Sequence, residues 1–231
     1  VLDIKVGNGT FMKSHDQAIE LGSWMKKIGD AFDIKTDIVY SNMDQPLGNY
    51  AGLSCEILET IACLKGKGPD DLMSVTFELG SKLILQSGLS KSKSDAIELQ
   101  TNIIESGEGL KNFESSVHNQ GGKLDEFHSK SLPDYETYVF SNKVGIIQHM
   151  DTEQIGWSLV KMGCVVQDKS KVLDKSAGME FLKKTGDKIN SKDPIFRVFC
   201  SNKKILDEVA KSLHETLIIG EEYPKPKPLI L

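Results

Sequence analysis

The first thirteen residues place a short strand, a glycine-rich loop and the start of a helix in direct succession. Four of the first six residues are apolar, and Gly7 and Gly9 end this run. Ser14 and Gln17 have the spacing of a capping box, which predicts that a helix begins there. A strand, loop and helix in this order form a βα unit, and open α/β sheets bind ligands beyond the carboxyl ends of such strands. Phe11 lies in this loop, so a large apolar side chain stands where a ligand would bind.

The two glycines of this loop have two interpretations. Gly7 and Gly9 could adopt positive φ to let a ligand approach the backbone, or they could simply close a tight βα turn. A nucleotide-binding P-loop is not predicted, because Met12 occupies the position of the glycine that must precede Lys13.

The first region of the chain continues with one more strand and several helices. Residues 34–40 predict a second strand, which the right-handed crossover rule makes parallel to the first. A polar turn follows at 41–48, and helices are then predicted over 52–64, after a cap at Asp70 or Asp71, and after a cap at Ser94. We therefore predict an α/β fold, with a partial parallel or mixed sheet and flanking helices.

The pattern changes near residue 130, where short β segments become frequent. We predict a strand or hairpin over 135–150, a helix over 152–162 begun by Asp151, strands over 164–166, 179–182 and 194–200, a tight turn over 184–188 and a helix over 203–214. The predicted domains are 1–130, of α/β type, and 131–222, of α+β type, followed by a proline-rich tail over 223–231.

Composition excludes several classes of function. The chain has 33 acidic and 28 basic residues, a net charge of −5, and lacks the clustered basic excess of nucleic-acid-binding proteins. No apolar run approaches the roughly 18–20 residues that span a bilayer, and there is no signal-peptide pattern, so no membrane partner is predicted. The four cysteines lack C-x-x-C spacing, which indicates reduced thiols and a cytoplasmic location. The five histidines show no metal-ligand spacing.

The first residues of the chain predict that it belongs to a longer protein. It has no initiator Met and starts inside a predicted strand, with no preceding element to pair with that strand. We therefore expect the chain to be the C-terminal part of a longer protein.

Glu59 is the one carboxylate with two competing interpretations. It lies on the helix predicted after the polar turn, one turn past Glu56, and could belong to a solvated helix face. Alternatively it could bind a hard cation together with backbone carbonyl oxygens of the turn, a ligand set that such ions prefer.

Seven segments, taken together and in order, resemble the pyrimidine-nucleoside phosphorylase family, which includes thymidine phosphorylase. The resembling segments are DIKVGNGTFM at 3–12, NMDQPLG at 42–48, EILE at 56–59, LKGKGPDDL at 64–72, QGG at 120–122, DTEQIG at 151–156 and GDK at 186–188. The proline-rich tail also fits, so the resemblance covers almost the whole chain.

The resemblance implies a fold and a reaction. The fold would be part of a nucleoside phosphorylase/phosphoribosyltransferase catalytic domain, followed by a smaller α+β barrel-sandwich-like C-terminal domain. The reaction would be reversible phosphorolysis, in which inorganic phosphate attacks C1′ of a pyrimidine nucleoside such as thymidine or uridine and releases the free base. Members of the family are homodimers in which a helical domain closes over the α/β domain.

The resemblance also implies roles for four residues of this chain. Phe11 matches the apolar wall against the pyrimidine base. Leu47 and Tyr50 match two backbone carbonyls, and Glu59 the carboxylate, of a monovalent-cation site that usually holds K⁺. A small residue is more typical at the position of Tyr50. The family's phosphate-binding residues and most of its base-binding residues lie upstream of a strand matching 2–6, so this chain alone is expected to be inactive and to contain no catalytic residue.

Two alternatives remain open at this point. An anthranilate-type phosphoribosyltransferase would share the first domain, but that smaller family typically lacks a C-terminal module like the one predicted here. A non-catalytic binding or carrier module is the other alternative, since GDK at 186–188 is similar to a lipoyl-type turn, although no modification tip is apparent.

Overall fold

The computed structural model of the chain describes residues 1–165 and 172–231. It contains two compact units, each built from several segments. Unit 1 comprises Val1–Met43, Ile61–Ser116 and Lys227–Leu231, and unit 2 comprises Asp44–Thr60 and Val117–Pro226. None of the helices within the described ranges is long and apolar enough to cross a membrane.

Unit 1 begins with the predicted βαβ arrangement. Strand β1 (Leu2–Val6) pairs in parallel with β2 (Ile38–Asn42), and helix α1 (His15–Ala31) connects them. The capping box is confirmed: the Ser14 side chain accepts from the Gln17 N–H, and the Gln17 side chain accepts from the Ser14 N–H. Ile4, Val6 and Ala18 form the buried core between sheet and helix.

Strand β2 begins four residues later than predicted. Helix α1 continues to Ala31, and the Ile34 N–H then donates to the Gly29 carbonyl at 2.9 Å. The chain is therefore still turning back from the helix where the β-branched residues of 34–37 suggested a strand.

The C-terminal end of the chain extends this small sheet. The Asn42 N–H donates to the Leu229 carbonyl, and the Leu231 N–H donates to the Tyr40 carbonyl, with an antiparallel bridge between Ser41 and Ile230. The last residues of the predicted extended tail thus lie along the edge of β2 that faces away from β1.

The central helices are α2 (Ser54–Leu64), α3 (Asp70–Ser87), α4 (Lys93–Glu105), α5 (Glu108–Asn119) and α6 (Leu124–Lys130). Two predicted caps are wrong. Pro69 occupies the N-cap of α3 and makes no side-chain cap hydrogen bond, and Ser92 rather than Ser94 caps α4 by accepting from the Asp95 N–H. Ser94 instead contacts the Ser92 hydroxyl at 2.8 Å and is already inside the helix.

The described residues of unit 2 form two small antiparallel sheets. The first has the order β3 (Tyr50–Gly52), β6 (Gly178–Phe181), β8 (Pro194–Cys200) and β4 (Tyr135–Phe140), and the second has the order β7 (Lys188–Ile189), β5 (Gly145–Met150) and β9 (Leu217–Gly220). Helices α7 (Thr152–Met162) and α8 (Lys203–Ser212) and a short 3-10 turn (Leu213–Thr216) also belong to this unit, as do α6 and the first part of α2. Its core includes Ile147, Met179, Phe196, Val198 and Leu213.

The prediction for residues 135–150 is correct in position but wrong as a hairpin. β4 pairs with β8 in one sheet, whereas β5 pairs with β7 and β9 in the other. A register shift at Val139 and Phe140 ends the β4 ladder, and the Ser141 N–H then donates to the Asp193 carbonyl, which directs the chain away from a tight turn.

The remaining predictions for unit 2 mostly agree with the structure. Asp151 caps α7 by accepting from the Gln154 N–H at 3.0 Å, and Gly186 forms the predicted tight turn with φ +94°. The strand predicted at 164–166 is not observed at Cys164 and Val165, and Val166 lies outside the described residues. Taken together, the described residues form a mixed α/β protein of small sheets and flanking helices.

Candidate functional site

The Glu59 carboxylate lies against the backbone of the loop between β2 and β3. Glu59 is only 7% exposed, and its Oε1 accepts from the Asn49 N–H at 2.7 Å. A Cβ atom added to Gly48 would lie 2.6 Å from Glu59 Oε2, so the second oxygen is packed against this glycine. Glu59 therefore belongs to a buried loop contact and not to a solvated helix face.

The conformation of Gly48 explains how the loop approaches the carboxylate so closely. Its φ is +72°, which lies in the left-handed region that residues with a side chain rarely adopt. A glycine here both permits this turn and leaves room for the carboxylate. Helix α2 carries Glu59, the carboxylate that contacts this loop. The first turn of α2 is anchored by Glu56, whose side chain accepts from the Gly52 N–H at 2.8 Å.

Leu47 and Tyr50, the two predicted carbonyl ligands, directly flank the pair of residues that contact Glu59. Leu47 is partly buried in the loop, and Tyr50 is the first residue of β3. The structure thus brings Leu47, Tyr50 and Glu59 together in one loop-and-helix arrangement within unit 2. We call residues 47–50 together with Glu59 the loop–carboxylate site.

The residue types of the loop–carboxylate site fit a monovalent cation. One buried carboxylate provides charge, and the resemblance assigns two backbone oxygens of the adjoining loop, the ligand class that hard cations prefer. Leu47, Tyr50 and Glu59 are the residues that the resemblance predicts as ligands of that ion. Among the described residues, no group of three or more His, Cys, Asp or Glu side chains could hold a metal ion.

The Tyr50 side chain is anchored by a second carboxylate. Its hydroxyl donates to Glu180 Oε1 at 2.9 Å, across the β3–β6 pair. Burial, together with the hydrogen bond to Glu180 and the charges of Glu180 and Glu59, raises the pKa of Tyr50 to about 12. Tyr50 is therefore a neutral hydrogen-bond donor at physiological pH.

Phe11 lies in unit 1, at the tip of the glycine loop after β1. Its side chain is 95% exposed, although the loop beneath it is well ordered by hydrogen bonds. The Thr10 hydroxyl donates to the Gly7 and Met12 carbonyls at 3.1 and 2.9 Å, and the Gly7 N–H donates to the Met12 carbonyl. Phe11 is thus held on a fixed loop, in a different unit from the loop–carboxylate site.

Comparison with known proteins identifies the family. A sequence model of the pyrimidine nucleoside phosphorylase C-terminal domain matches residues 146–220, from β5 to the end of β9. Pyrimidine-nucleoside phosphorylases from Staphylococcus haemolyticus and Bacillus subtilis are 32% and 31% identical to the chain over 98% of its length. The chain belongs to the pyrimidine-nucleoside phosphorylase family. It spans about half of each of these relatives, 53% of their length.

The family assignment confirms the resemblance found in the sequence and extends across the candidate residues. The relatives align with 98% of the chain, whereas the C-terminal domain match covers only the later part of unit 2. Glu180 lies within that matched domain and Tyr50 lies outside it, so the hydrogen bond between them connects the two regions of this phosphorylase-family chain.

The sequence prediction missed four residues around the site: Gly48, Asn49, Glu180 and Arg197. Gly48 ends a recognised segment and Asn49 directly follows it, but only the folded loop shows their contacts with Glu59. A sequence signal did exist for the other two. Glu180 and Arg197 each interrupt a short apolar strand with a single charge, a pattern that indicates a cross-strand ion pair.

Proposed function

We propose that a protein containing this chain catalyses the reversible phosphorolysis of pyrimidine nucleosides of the thymidine or uridine type. The proposal is supported above all by the relatives named pyrimidine-nucleoside phosphorylase, which align with 98% of the chain. The buried Glu59 carboxylate against a glycine turn adds support, because that arrangement suits the cation site expected from the resemblance.

In the proposed reaction an oxygen of inorganic phosphate attacks C1′ of the nucleoside sugar. The C1′–N1 bond breaks, its electron pair passes to the pyrimidine, and protonation of the base completes its departure. The products are a free base and a ribose or deoxyribose 1-phosphate. Catalysis of this kind depends on positioning and on stabilising the charge that builds on the leaving base.

The residues of this chain would contribute binding and orientation. Phe11, exposed on its ordered loop, would pack against the apolar face of the pyrimidine. The carbonyls of Leu47 and Tyr50 and the carboxylate of Glu59 would bind K⁺, which supplies a fixed positive charge. The proposal includes a catalytic domain over 1–130 and a barrel-sandwich-like domain over 131–222. It also includes a cytoplasmic homodimer as the active form, and the inactivity of this chain alone.

The test uses the full-length protein, meaning the complete product of the reading frame that encodes this chain. Release of thymine or uracil is followed with and without inorganic phosphate. We expect release that requires phosphate, and we expect none from the 231-residue chain alone. Base release that is independent of phosphate, or consumption of anthranilate with a phosphoribosyl pyrophosphate donor, would overturn the proposal. A covalent cofactor found by intact-mass measurement would favour the carrier alternative instead.

Replacing Phe11 by alanine in the full-length protein is expected to lower kcat/KM for thymidine about tenfold, the effect of losing one hydrophobic pocket contact. The melting temperature should change little, because the side chain is 95% exposed. Phe32→Ala is the matched control, since Phe32 is 74% exposed in the same unit and has no proposed role. Equal kcat/KM values for both variants and the parent would remove Phe11 from the site.

A further inference from the structure

Three side chains form a continuous row across the sheet that begins at the loop–carboxylate site. Tyr50 on β3 pairs in register with Glu180 on β6, which pairs in register with Arg197 on β8. Residues in register on neighbouring antiparallel strands project from the same face, so their side chains meet. We call Tyr50, Glu180 and Arg197 the cross-strand row.

Glu180 connects the two ends of the row with both of its oxygens. Oε1 accepts from the Tyr50 hydroxyl at 2.9 Å, and Oε2 accepts from Arg197 Nη1 at 2.7 Å. Arg197 is held in turn by Glu136, whose Oε2 accepts from Nε at 3.2 Å, and its guanidinium lies 5.2 Å from the centre of the Phe199 ring. The rotamers of both charged residues are therefore restrained from more than one side.

The inner part of this network is shielded from water. The side chains of Glu180 and Arg197 are 19% and 29% exposed, whereas that of Glu136 is 49% exposed. Charge-assisted hydrogen bonds are stronger when they are shielded, so the pair formed by Glu180 and Arg197 contributes more than the outer pair. The stronger pair is therefore the one that contains Glu180, the residue that accepts from the Tyr50 hydroxyl.

The backbone next to Tyr50 is already fixed by two further contacts. The Asn49 N–H donates to Glu59 Oε1 at 2.7 Å, and the Asn49 carbonyl accepts from the Phe181 N–H at the same distance. These contacts tie Asn49 to α2 on one side and to β6 on the other. The side chain of Tyr50 adds a third attachment, immediately after the residue that Glu59 binds.

We propose that the cross-strand row positions the backbone of residues 49–50 for binding of a monovalent cation at the loop–carboxylate site. This inference rests on the proposed function, because the cation site belongs to that proposal. Tyr50 then has two separate roles: its carbonyl is a ligand, and its hydroxyl is an anchor. Glu180 and Arg197 are positioning residues that act through Tyr50 and do not touch the ion.

The test compares Tyr50→Phe with Tyr138→Phe in the full-length protein. Tyr138 lies on β4, in register with Arg197 on β8, and is 44% exposed. Its substitution removes a hydroxyl from the same line of residues but leaves the hydrogen bond between Tyr50 and Glu180 in place. The apparent K⁺ dissociation constant is measured from the rise in melting temperature with K⁺ concentration, with choline chloride keeping the ionic strength constant. This readout does not depend on enzymatic activity.

We expect Tyr50→Phe to weaken K⁺ binding roughly fivefold, the effect of removing one anchoring hydrogen bond, while Tyr138→Phe matches the parent. Arg197→Lys should weaken binding about threefold, because lysine keeps the charge but cannot contact both carboxylates with a rigid fork. A Tyr50→Phe variant with a lower melting temperature in choline but an unchanged K⁺ constant would overturn the inference, since the hydroxyl would then be merely structural. A parent protein that shows no response to K⁺ would overturn the cation site itself, and the inference with it.

Discussion

Replacement of Glu59 by glutamine is expected to raise the K⁺ concentration needed for half-maximal phosphorolysis about thirtyfold. Glutamine has the same shape and retains an oxygen that can accept from the Asn49 N–H, which now donates at 2.7 Å. The charge is lost, however, and a charged partner in a site only 7% exposed contributes about 2 kcal/mol. The measurement is the initial rate of base release across a range of K⁺ concentrations in the full-length protein.

Glu56→Gln is a matched control for this experiment. Glu56 lies one turn earlier on α2 and also accepts from a backbone N–H, that of Gly52, at 2.8 Å, but its side chain is exposed. Its substitution should leave K⁺ activation as in the parent. If Glu59→Gln and Glu56→Gln gave the same K⁺ dependence as the parent, Glu59 would have no role in cation binding.

Replacement of Gly48 by alanine should lower the free energy of unfolding by about 3 kcal/mol and should also weaken K⁺ binding. Alanine must adopt a φ of +72°, which costs about 1 kcal/mol, and its Cβ would lie 2.6 Å from Glu59 Oε2. Relieving that clash moves either the loop or the buried carboxylate, at a further cost of about 2 kcal/mol. Urea unfolding of the full-length protein measures the change.

Gly88→Ala separates backbone strain from the clash. Gly88 caps α3 with a similar φ of +77°, and a Cβ added there meets nothing within 4 Å. Its substitution should cost only about 1 kcal/mol, the backbone contribution. Equal losses of stability in Gly48→Ala and Gly88→Ala would show that the contact between Gly48 and Glu59 contributes nothing beyond the left-handed turn.

The local signals in the sequence predicted the elements of both units well. The capping box at Ser14 and the Asp151 cap follow from rules that act over a few residues, and the parallel β1–β2 pair follows from the crossover rule within one βαβ unit; the structure confirms each of them. The strand at 194–200 was also correct, because its apolar run is long enough to recognise. Predictions of this kind need no knowledge of the remainder of the fold.

Pairing between distant segments could not be predicted in the same way. β3, β7 and β9 have three, two and four residues, too few to show an alternating pattern, and they form only because longer strands bind them. The strand or hairpin predicted over 135–150 is two strands that do not pair with each other, and their partners β8 and β9 lie far along the chain, where no local pattern indicates them.

The candidate site shows the same division between local and long-range information. The grouping of Leu47, Tyr50 and Glu59 came from a resemblance, and their closeness in the structure depends on the positive φ of Gly48 and the contact of Asn49 with Glu59. The anchor of Tyr50 requires Glu180, which is 130 residues away in sequence. No local pattern around Tyr50 could have indicated that partner.

The central claim is that a protein containing this chain transfers a pentosyl group from a pyrimidine to phosphate. The most direct measurement is ³¹P NMR of the full-length protein incubated with thymidine and inorganic phosphate, with thymine quantified in the same sample. The proposal predicts a new sugar 1-phosphate resonance that grows in equal amount to the thymine released and disappears when excess thymine is added. Thymine release with the phosphate resonance unchanged would mean hydrolysis, and would contradict the proposal.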